Sequence, residues 1–286
     1  MINSLNLNIN NTYQNNNIST YESKSFQGLN HDTVSFKSKS LLSKPSEEIT
    51  KIVQSAVKDT KNLMGQGSEG KVFDIPETIY CVKIPNNQTP KFGEWNFDMY
   101  RGEDVNHVVA TSGNVSIMKK IAGETLKYGK EPKEIYDLPK KAYKSLLLQI
   151  QDAHKKYMVF DAVPKNIIYN KENKSLIAID FIKEDSNKYE YSPFYNVYDC
   201  LKSKGSCGED KELNTKFGEK LFSIAVDGLS DKEHSVPLIK KDLDALYEEL
   251  SWNNCLSQET IQYKSILDKN IKEPKKLSLF NLWSKK

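Results

Sequence analysis

The chain has 286 residues, 38% of them hydrophobic and 28% charged, with a formal net charge of +3. That length allows one large domain or two small ones, and the near-balanced charge carries no nucleic-acid signature. No apolar run approaches the roughly eighteen residues of a membrane-spanning helix, so no integral membrane segment is expected, and the N-terminus lacks the charged-then-apolar order of a secretory signal.

The four cysteines, Cys81, Cys200, Cys207 and Cys255, are sparse and lack zinc-ligand spacing. Reduced thiols are the expected state, with a Cys200 to Cys207 pair as the alternative. Residues 1–45 differ in composition from the rest of the chain. Eight of the first twenty are Asn, and a Ser/Lys-rich stretch then runs to Lys44-Pro45. Such a segment is too polar to offset its own chain entropy, which predicts a disordered leader. It reads either as a plain flexible tail or as a non-cleaved export signal of the type III kind.

Ser46 to Lys61 predicts a helix, because acidic residues follow Ser46 and Ile49, Ile52, Val53 and Val57 recur at helical spacing. Next comes Gly65-Gln66-Gly67-Ser68-Glu69-Gly70-Lys71-Val72, a GxGxxGxV stretch that leads into a strand-like run. A dinucleotide fingerprint needs a helix after its glycines, whereas the nucleotide-covering loop of protein kinases is a hairpin tip followed by a strand. Gly65, Gln66, Gly67, Ser68, Gly70 and Val72 are the residues that would line the nucleotide. Taken alone, an ordinary glycine-rich turn is the simpler account.

Thr78 to Ile84 predicts the next strand, interrupted by Lys83. A lysine there is costly to bury unless it meets anions, and a kinase uses such a lysine to hold the α/β-phosphates, oriented by a glutamate on a following helix. Glu94 is the candidate for that glutamate, since Phe97 and Tyr100/Arg101 continue a helical face, and Glu103 is the fallback. A snorkelling edge-strand lysine is the plain alternative for Lys83. His107 to Ile121 predicts a second hairpin around Ser112-Gly113-Asn114. Gly123-Glu124 then breaks the pattern as a connector between two lobes would. The Met118 to Ile121 backbone, Met118 and Lys120 included, would meet an adenine ring.

Pro139 to Lys156 predicts a helix with Tyr143, Leu146, Leu147, Ile150, His154 and Tyr157 on one stripe. His154 reads as a packed helix-end histidine. Two β-branched-rich runs, Asn166 to Tyr169 and Leu176 to Ile179, flank the polar cluster Asn170 to Ser175 and predict a hairpin. Pairing about that cluster sets Asn166 beside Asp180, with Asp161 on the loop leading in. The polar residues could be turn formers alone. An Asp and an Asn close together, with a second Asp nearby, equally suit Mg²⁺, or Mn²⁺ in its place, and metal-assisted phosphoryl transfer from ATP.

Order and spacing then restrict the reading. GxGxxGxV, Lys83, a helical glutamate, a connector, a long helix, Asp161, Asn166 five residues on and Asp180 fourteen after that reproduce the protein-kinase parts in sequence. The predicted fold is α+β and bilobal, kinase-like, with a small β-rich N-lobe over 46–121 and a helical C-lobe over 122–286. Asp161 would accept a substrate hydroxyl proton, Asn166 and Asp180 would hold the metal, and Lys83 with Glu94 would position the phosphates.

Within this frame, SIMKKIAGETL (116–126), AHKKYMVFDAVPKNIIYN (153–170) and AIDF (178–181) resemble the NleH/OspG-like minimal effector kinases that pathogens inject by type III secretion. The resemblance covers residues about 60 to 185. It implies a serine/threonine protein kinase acting on a host protein, or itself, in the host cytoplasm, and turns the Asn-rich leader toward an export signal. Ubiquitin, a ubiquitin-loaded conjugating enzyme or a chaperone are the partners it suggests. The sequence departs from ordinary kinases where Val159-Phe160 replaces His-Arg, which implies activity without activation-loop phosphorylation. Ile182 replaces the glycine after Asp180-Phe181, and no Ala-Pro-Glu follows. A non-catalytic scaffold of the same fold and a small-molecule phosphotransferase are the alternatives.

Leu238, Ile239, Leu243, Leu246 and Leu250 predict a late helix and Ile261 to Ile271 a shorter one, so two to four helices would complete an atypical lower lobe. Lys275 to Lys286 reads as a packed C-terminal helix, or else as a segment for docking a partner or a membrane surface.

Overall fold

Ser46–Lys58 forms helix α1, burying Ile49, Val53 and Ala56. Its acidic first turn and Lys58 in the last turn oppose the helix dipole. Ser46 is the first helical residue and not the cap. Its hydroxyl oxygen accepts the backbone N–H of Trp95 at 3.4 Å. The helix stops three residues short of the predicted end because Asp59 leaves helical geometry and caps a short 3-10 turn, accepting from Lys61 N–H at 3.0 Å. The computed structural model describes residues 41–97, 106–127, 132–183, 193–204, 209–231 and 236–271. The expectations for residues 1–40, for Glu103, for Cys207 and for Lys275 to Lys286 fall outside these.

Five antiparallel strands come next in the chain: β1 (Leu63–Gln66), β2 (Gly70–Asp74), β3 (Tyr80–Pro85), β4 (Val108–Ser112) and β5 (Val115–Lys119), in the order β1-β2-β3-β5-β4. Both predicted hairpins form. Gly113 opens the β4–β5 turn with φ 58°, and a Cβ there would lie 2.2 Å from Lys91 O, so only glycine fits.

Directly paired residues share a face of the sheet. Phe73 pairs with Val82, Val82 with Ile117 and Ile117 with Ala110, and this face packs on α1 in one apolar core reaching from Leu41 to Ile117. Val72, Lys83, Cys81, Ser116 and Met118 pair in the alternate register and share the opposite face.

A second core runs from Leu126 to Leu267. Its framework is helix α2 (Lys140–Lys155), whose buried face comprises Ala142, Tyr143, Leu146, Leu147, Ile150, Gln151, Ala153 and His154. Each large apolar side chain buried there contributes on the order of 2 kcal/mol. Tyr157 does not continue the stripe. It lies past the helix end with φ 61° and is exposed. Strands β6 (Glu124–Thr125), β8 (Ile167–Asn170) and β9 (Ser175–Ala178) form a three-stranded sheet, and β7 (Met158–Phe160) pairs with β10 (Phe181–Lys183). Gly123, at φ 130°, passes so close to β8 that a Cβ would lie 2.5 Å from Tyr169 O.

Four helices follow among the described residues: α3 (Phe194–Leu201), α4 (Glu209–Gly228), α5 (Lys240–Trp252) and α6 (Gln258–Asn270). Leu243, Leu246 and Leu250 are buried as their spacing predicts. A Cβ at Gly218 would lie 2.6 Å from Leu250 Cδ1, so the glycine admits the close approach of α4 to α5. In α6 the isoleucine stripe fails: Ile261 and Ile266 are exposed, and Thr260 and Leu267 face the core instead. The chain is therefore α+β, with a β-sheet N-terminal region and a helical C-terminal part.

Candidate functional site between the two cores

The β1–β2 hairpin bends over the end of β3, its tip closed by Gly67 N–H donating to Gly70 O at 2.9 Å. The three glycines differ. A Cβ at Gly70 would sit 2.5 Å from Ile84 O and 3.5 Å from Lys83 Cε, whereas Gly65 and Gly67 face open space. Gly70 is thus fixed by packing against β3. Gln66 and Ser68 are exposed in the loop.

Lys83 projects from the sheet face opposite α1, flanked across the strands by Val72 and Ser116. Its Nζ lies 3.4 Å from Glu69 Oε2 and 3.6 Å from Asp180 Oδ1, with about a third of the side chain exposed. The second distance joins a residue of the sheet to one that comes after β9, so the two halves of the chain meet at a charged pair. Cys81, two residues earlier on the same face, is buried, and burial pushes its thiol up to about 11.

The loop ahead of β8 supplies the other acceptors. Asn166 is buried, and its Nδ2 donates to Asp161 O at 3.0 Å and Asp161 Oδ2 at 3.1 Å. Its backbone carbonyl accepts Ile179 N–H at 2.8 Å, which sets Asp180 one residue away. Asp180 takes φ 64°, the left-handed region that Asp tolerates better than most residues. Asp161, Asn166 and Asp180 thus gather as the hairpin pairing predicts.

With Nδ2 committed to Asp161, the Asn166 Oδ1 is the amide atom available to a cation, and Asp180 offers a half-exposed carboxylate. Two hard oxygens with room for water and phosphate oxygens fit Mg²⁺, which seldom takes a complete protein cage. No group of three or more His, Cys, Asp and Glu placed to hold a metal ion occurs among the described residues.

Three further side chains hold this centre, of which the sequence did not single out Asn106 and Gln149. Asn106 grips Phe181 twice, donating from Nδ2 to Phe181 O at 3.0 Å and accepting Phe181 N–H on Oδ1 at 2.7 Å. Gln149 of α2 does the same to Ala178, at 2.8 Å and 2.9 Å. Phe160 packs on Phe181 with ring centroids 5.6 Å apart. Residues 106 and 149 lie 75 and 29 positions from their partners, so no local pattern signals them.

One expectation is corrected. Glu94 is on no helix: residues 91–95 are irregular, and Asn96 makes a bridge to Thr111 of β4. Trp95 is drawn into the α1 core, its indole N–H donating to Thr50 Oγ1 at 3.1 Å, and Glu94 is left exposed beyond the β4 edge. That edge stands two strands from β3, about 10 Å away, and among the described residues Lys83 pairs with Glu69 and Asp180. The donors of Lys120 are engaged elsewhere, which leaves its backbone carbonyl to meet an adenine ring. Its ammonium pairs with Asp74 and donates to Ile75 O and Thr78 O, and its backbone N–H donates to Ile79 O. Met118 does share the Cys81 side of the sheet. His154 is buried at the end of α2.

No helix among the described residues is long and apolar enough to cross a membrane. No protein-family model matches the chain, and no curated protein matches it.

Proposed function

We propose that the chain is an ATP-dependent serine/threonine protein kinase of the secreted-effector type, with a bilobal kinase-like fold and an atypical lower lobe. One observation carries the reading: Lys83, on the open face of the sheet, comes within 3.6 Å of Asp180, next to the Asn166–Asp161 pair. A half-buried lysine facing carboxylates where the two cores meet suits binding of a polyphosphate and its metal.

In this reading Lys83 binds the α/β-phosphates, and the glycine hairpin covers them. Asp161 keeps Oδ2 on the Asn166 amide and takes the proton of the attacking hydroxyl on its other oxygen. Asn166 and Asp180 would hold Mg²⁺, or Mn²⁺ as its substitute, which supplies charge neutralisation to the phosphates when bound. The family resemblance adds type III export, action in the host cytoplasm, and a hydroxyl of a host protein or of the kinase itself as acceptor. Ubiquitin, its loaded conjugating enzyme and a chaperone are the partner classes to try.

The test is transfer from radiolabelled ATP with Mg²⁺, alone and with a generic protein substrate, beside folded Lys83→Ala and Asp161→Ala variants. Label that disappears in both is expected. No transfer together with no ATP-induced rise in melting temperature would refute the proposal. A second reading, a catalytically weak scaffold of the same fold that binds a host protein, draws on the absence of Glu94 from the surroundings of Lys83. Equal labelling by wild type and Asp161→Ala would favour it.

A further inference from the structure

The tip of the glycine hairpin is fastened on two sides. Asn86, the first residue after β3, donates its amide nitrogen to Gly67 O at 2.7 Å and Ser68 O at 3.0 Å. Its backbone N–H donates to Glu69 O at 3.2 Å. Three successive loop carbonyls are therefore tied to one residue. On the other side of the tip, Lys83 Nζ donates to Glu69 Oε2 at 3.4 Å.

A carboxylate is an unexpected group in a loop that has to cover phosphates. It has the same sign of charge as the ligand, and it accepts from the same ammonium. We infer that Glu69, held over Lys83 by the Asn86 clamp, is an internal stand-in for phosphate that a polyphosphate ligand must displace. The inference rests on Lys83 being the phosphate-binding group of the proposed kinase. Displacement adds a penalty specific to charge, which ATP meets and adenosine does not.

The clamp distinguishes this arrangement from an incidental surface ion pair. Glu69 is mostly exposed and would sample many rotamers, but the backbone that carries it is fixed at three points. The clamp is also built to release. Asn86 Oδ1 is buried with no hydrogen-bond partner, so the latched state leaves an acceptor desolvated, and a loop that lifts regains its hydration. Both features place the loop in a closed resting form that nucleotide opens.

Binding of ATP and of adenosine to the full chain, measured by calorimetry in the presence of Mg²⁺, tests this. Glu69→Gln is expected to tighten ATP binding about two- to five-fold, the scale of one exposed ion pair, and to leave adenosine binding unchanged. In an Asn86→Ala background the gain should fall to less than half. Asn86→Asp, which removes the amide donor at constant shape, repeats that arm if the alanine variant loses its native circular dichroism.

ATP affinity that is unchanged or weaker in Glu69→Gln overturns the inference, as does an equal gain for adenosine. A gain undiminished without Asn86 overturns the clamp. Wild type that binds neither ATP nor adenosine overturns the nucleotide-site reading beneath it, an outcome distinct from the others.

Discussion

Asn106→Ala removes a side chain that bridges the two halves of the molecule. Its amide satisfies both the N–H and the C=O of Phe181, and Phe181 is only 4% exposed, so neither group is well placed to take water instead. A neutral hydrogen bond contributes about 1 kcal/mol net, and a buried group left unpaired costs about 1–3 kcal/mol. Asn106 is itself half-buried and part of the loss is recovered by solvent, which sets the expected destabilisation at about 2–3 kcal/mol. Urea unfolding followed by circular dichroism measures it directly, as a lower midpoint at an unchanged slope.

Asn106→Asp sharpens the same experiment. It keeps an acceptor for Phe181 N–H but turns a second oxygen toward Phe181 O, where the amide donated at 3.0 Å. At neutral pH the loss should match or exceed that of the alanine variant. The folded state favours the protonated carboxyl, which can donate to that carbonyl. Its folded pKa therefore lies above the unfolded value, and stability is present at low pH and lost as pH rises through the folded pKa. A change below about 0.5 kcal/mol in Asn106→Ala, or an Asn106→Asp variant insensitive to acid, would refute this account of the bridge.

Other variants separate the parts of the site. Gly70→Ala is expected to cost about 1–3 kcal/mol, because its Cβ would strike Ile84 O at 2.5 Å, while Gly67→Ala stays within about 0.5 kcal/mol; equal melting temperatures would contradict the packing. Gln149→Leu strands both peptide groups of Ala178, which is fully buried, and should lower stability by about 2–4 kcal/mol and weaken ATP binding through the displaced Asp180; unchanged urea midpoints would count against it. Burial holds the Cys81 thiol up at about 11 against 9.0 ordinarily, so its contribution is whole below pH 9 and is lost as pH rises through about 11, worth up to about 3 kcal/mol. Stability measured across that range should fall less steeply in Cys81→Ala, and an identical slope would exclude the thiol as the cause. Trp252, 83% exposed at the end of α5, serves as the control: Trp252→Ser should move stability by less than about 0.5 kcal/mol in urea unfolding.

The elements legible in the sequence are those whose signals are local. Gly113-Asn114 and the polar run after Asn170 mark hairpins whatever surrounds them, and α2 declares itself through a stripe that faces one core along its whole length. The acceptor cluster was readable for the same reason, since pairing β8 with β9 fixes where Asn166 and Asp180 must lie. The position of Glu94 was not readable. The spacing of Phe97 from Glu94 suggests a helical face, but Gly93 exchanges hydrogen bonds with Ser112 and Trp95 is claimed by α1, and these distant partners outweigh local periodicity. The engagement of the Lys120 ammonium was not readable either, because its anchors, Ile75 and Asp74, lie 45 and more residues away. In α6 the apolar stretch from Ile261 to Ile271 suggested a stripe, yet the core meets the Thr260–Leu267 side.

The separation of the apolar side chains into two cores, with polar contacts such as Lys83–Asp180 and Asn106–Phe181 across the boundary, has a mechanical consequence. An apolar seam resists opening in proportion to the area it would wet, whereas hydrogen bonds and ion pairs exchange with water at small net cost. These polar contacts can therefore part and re-form without disturbing either core.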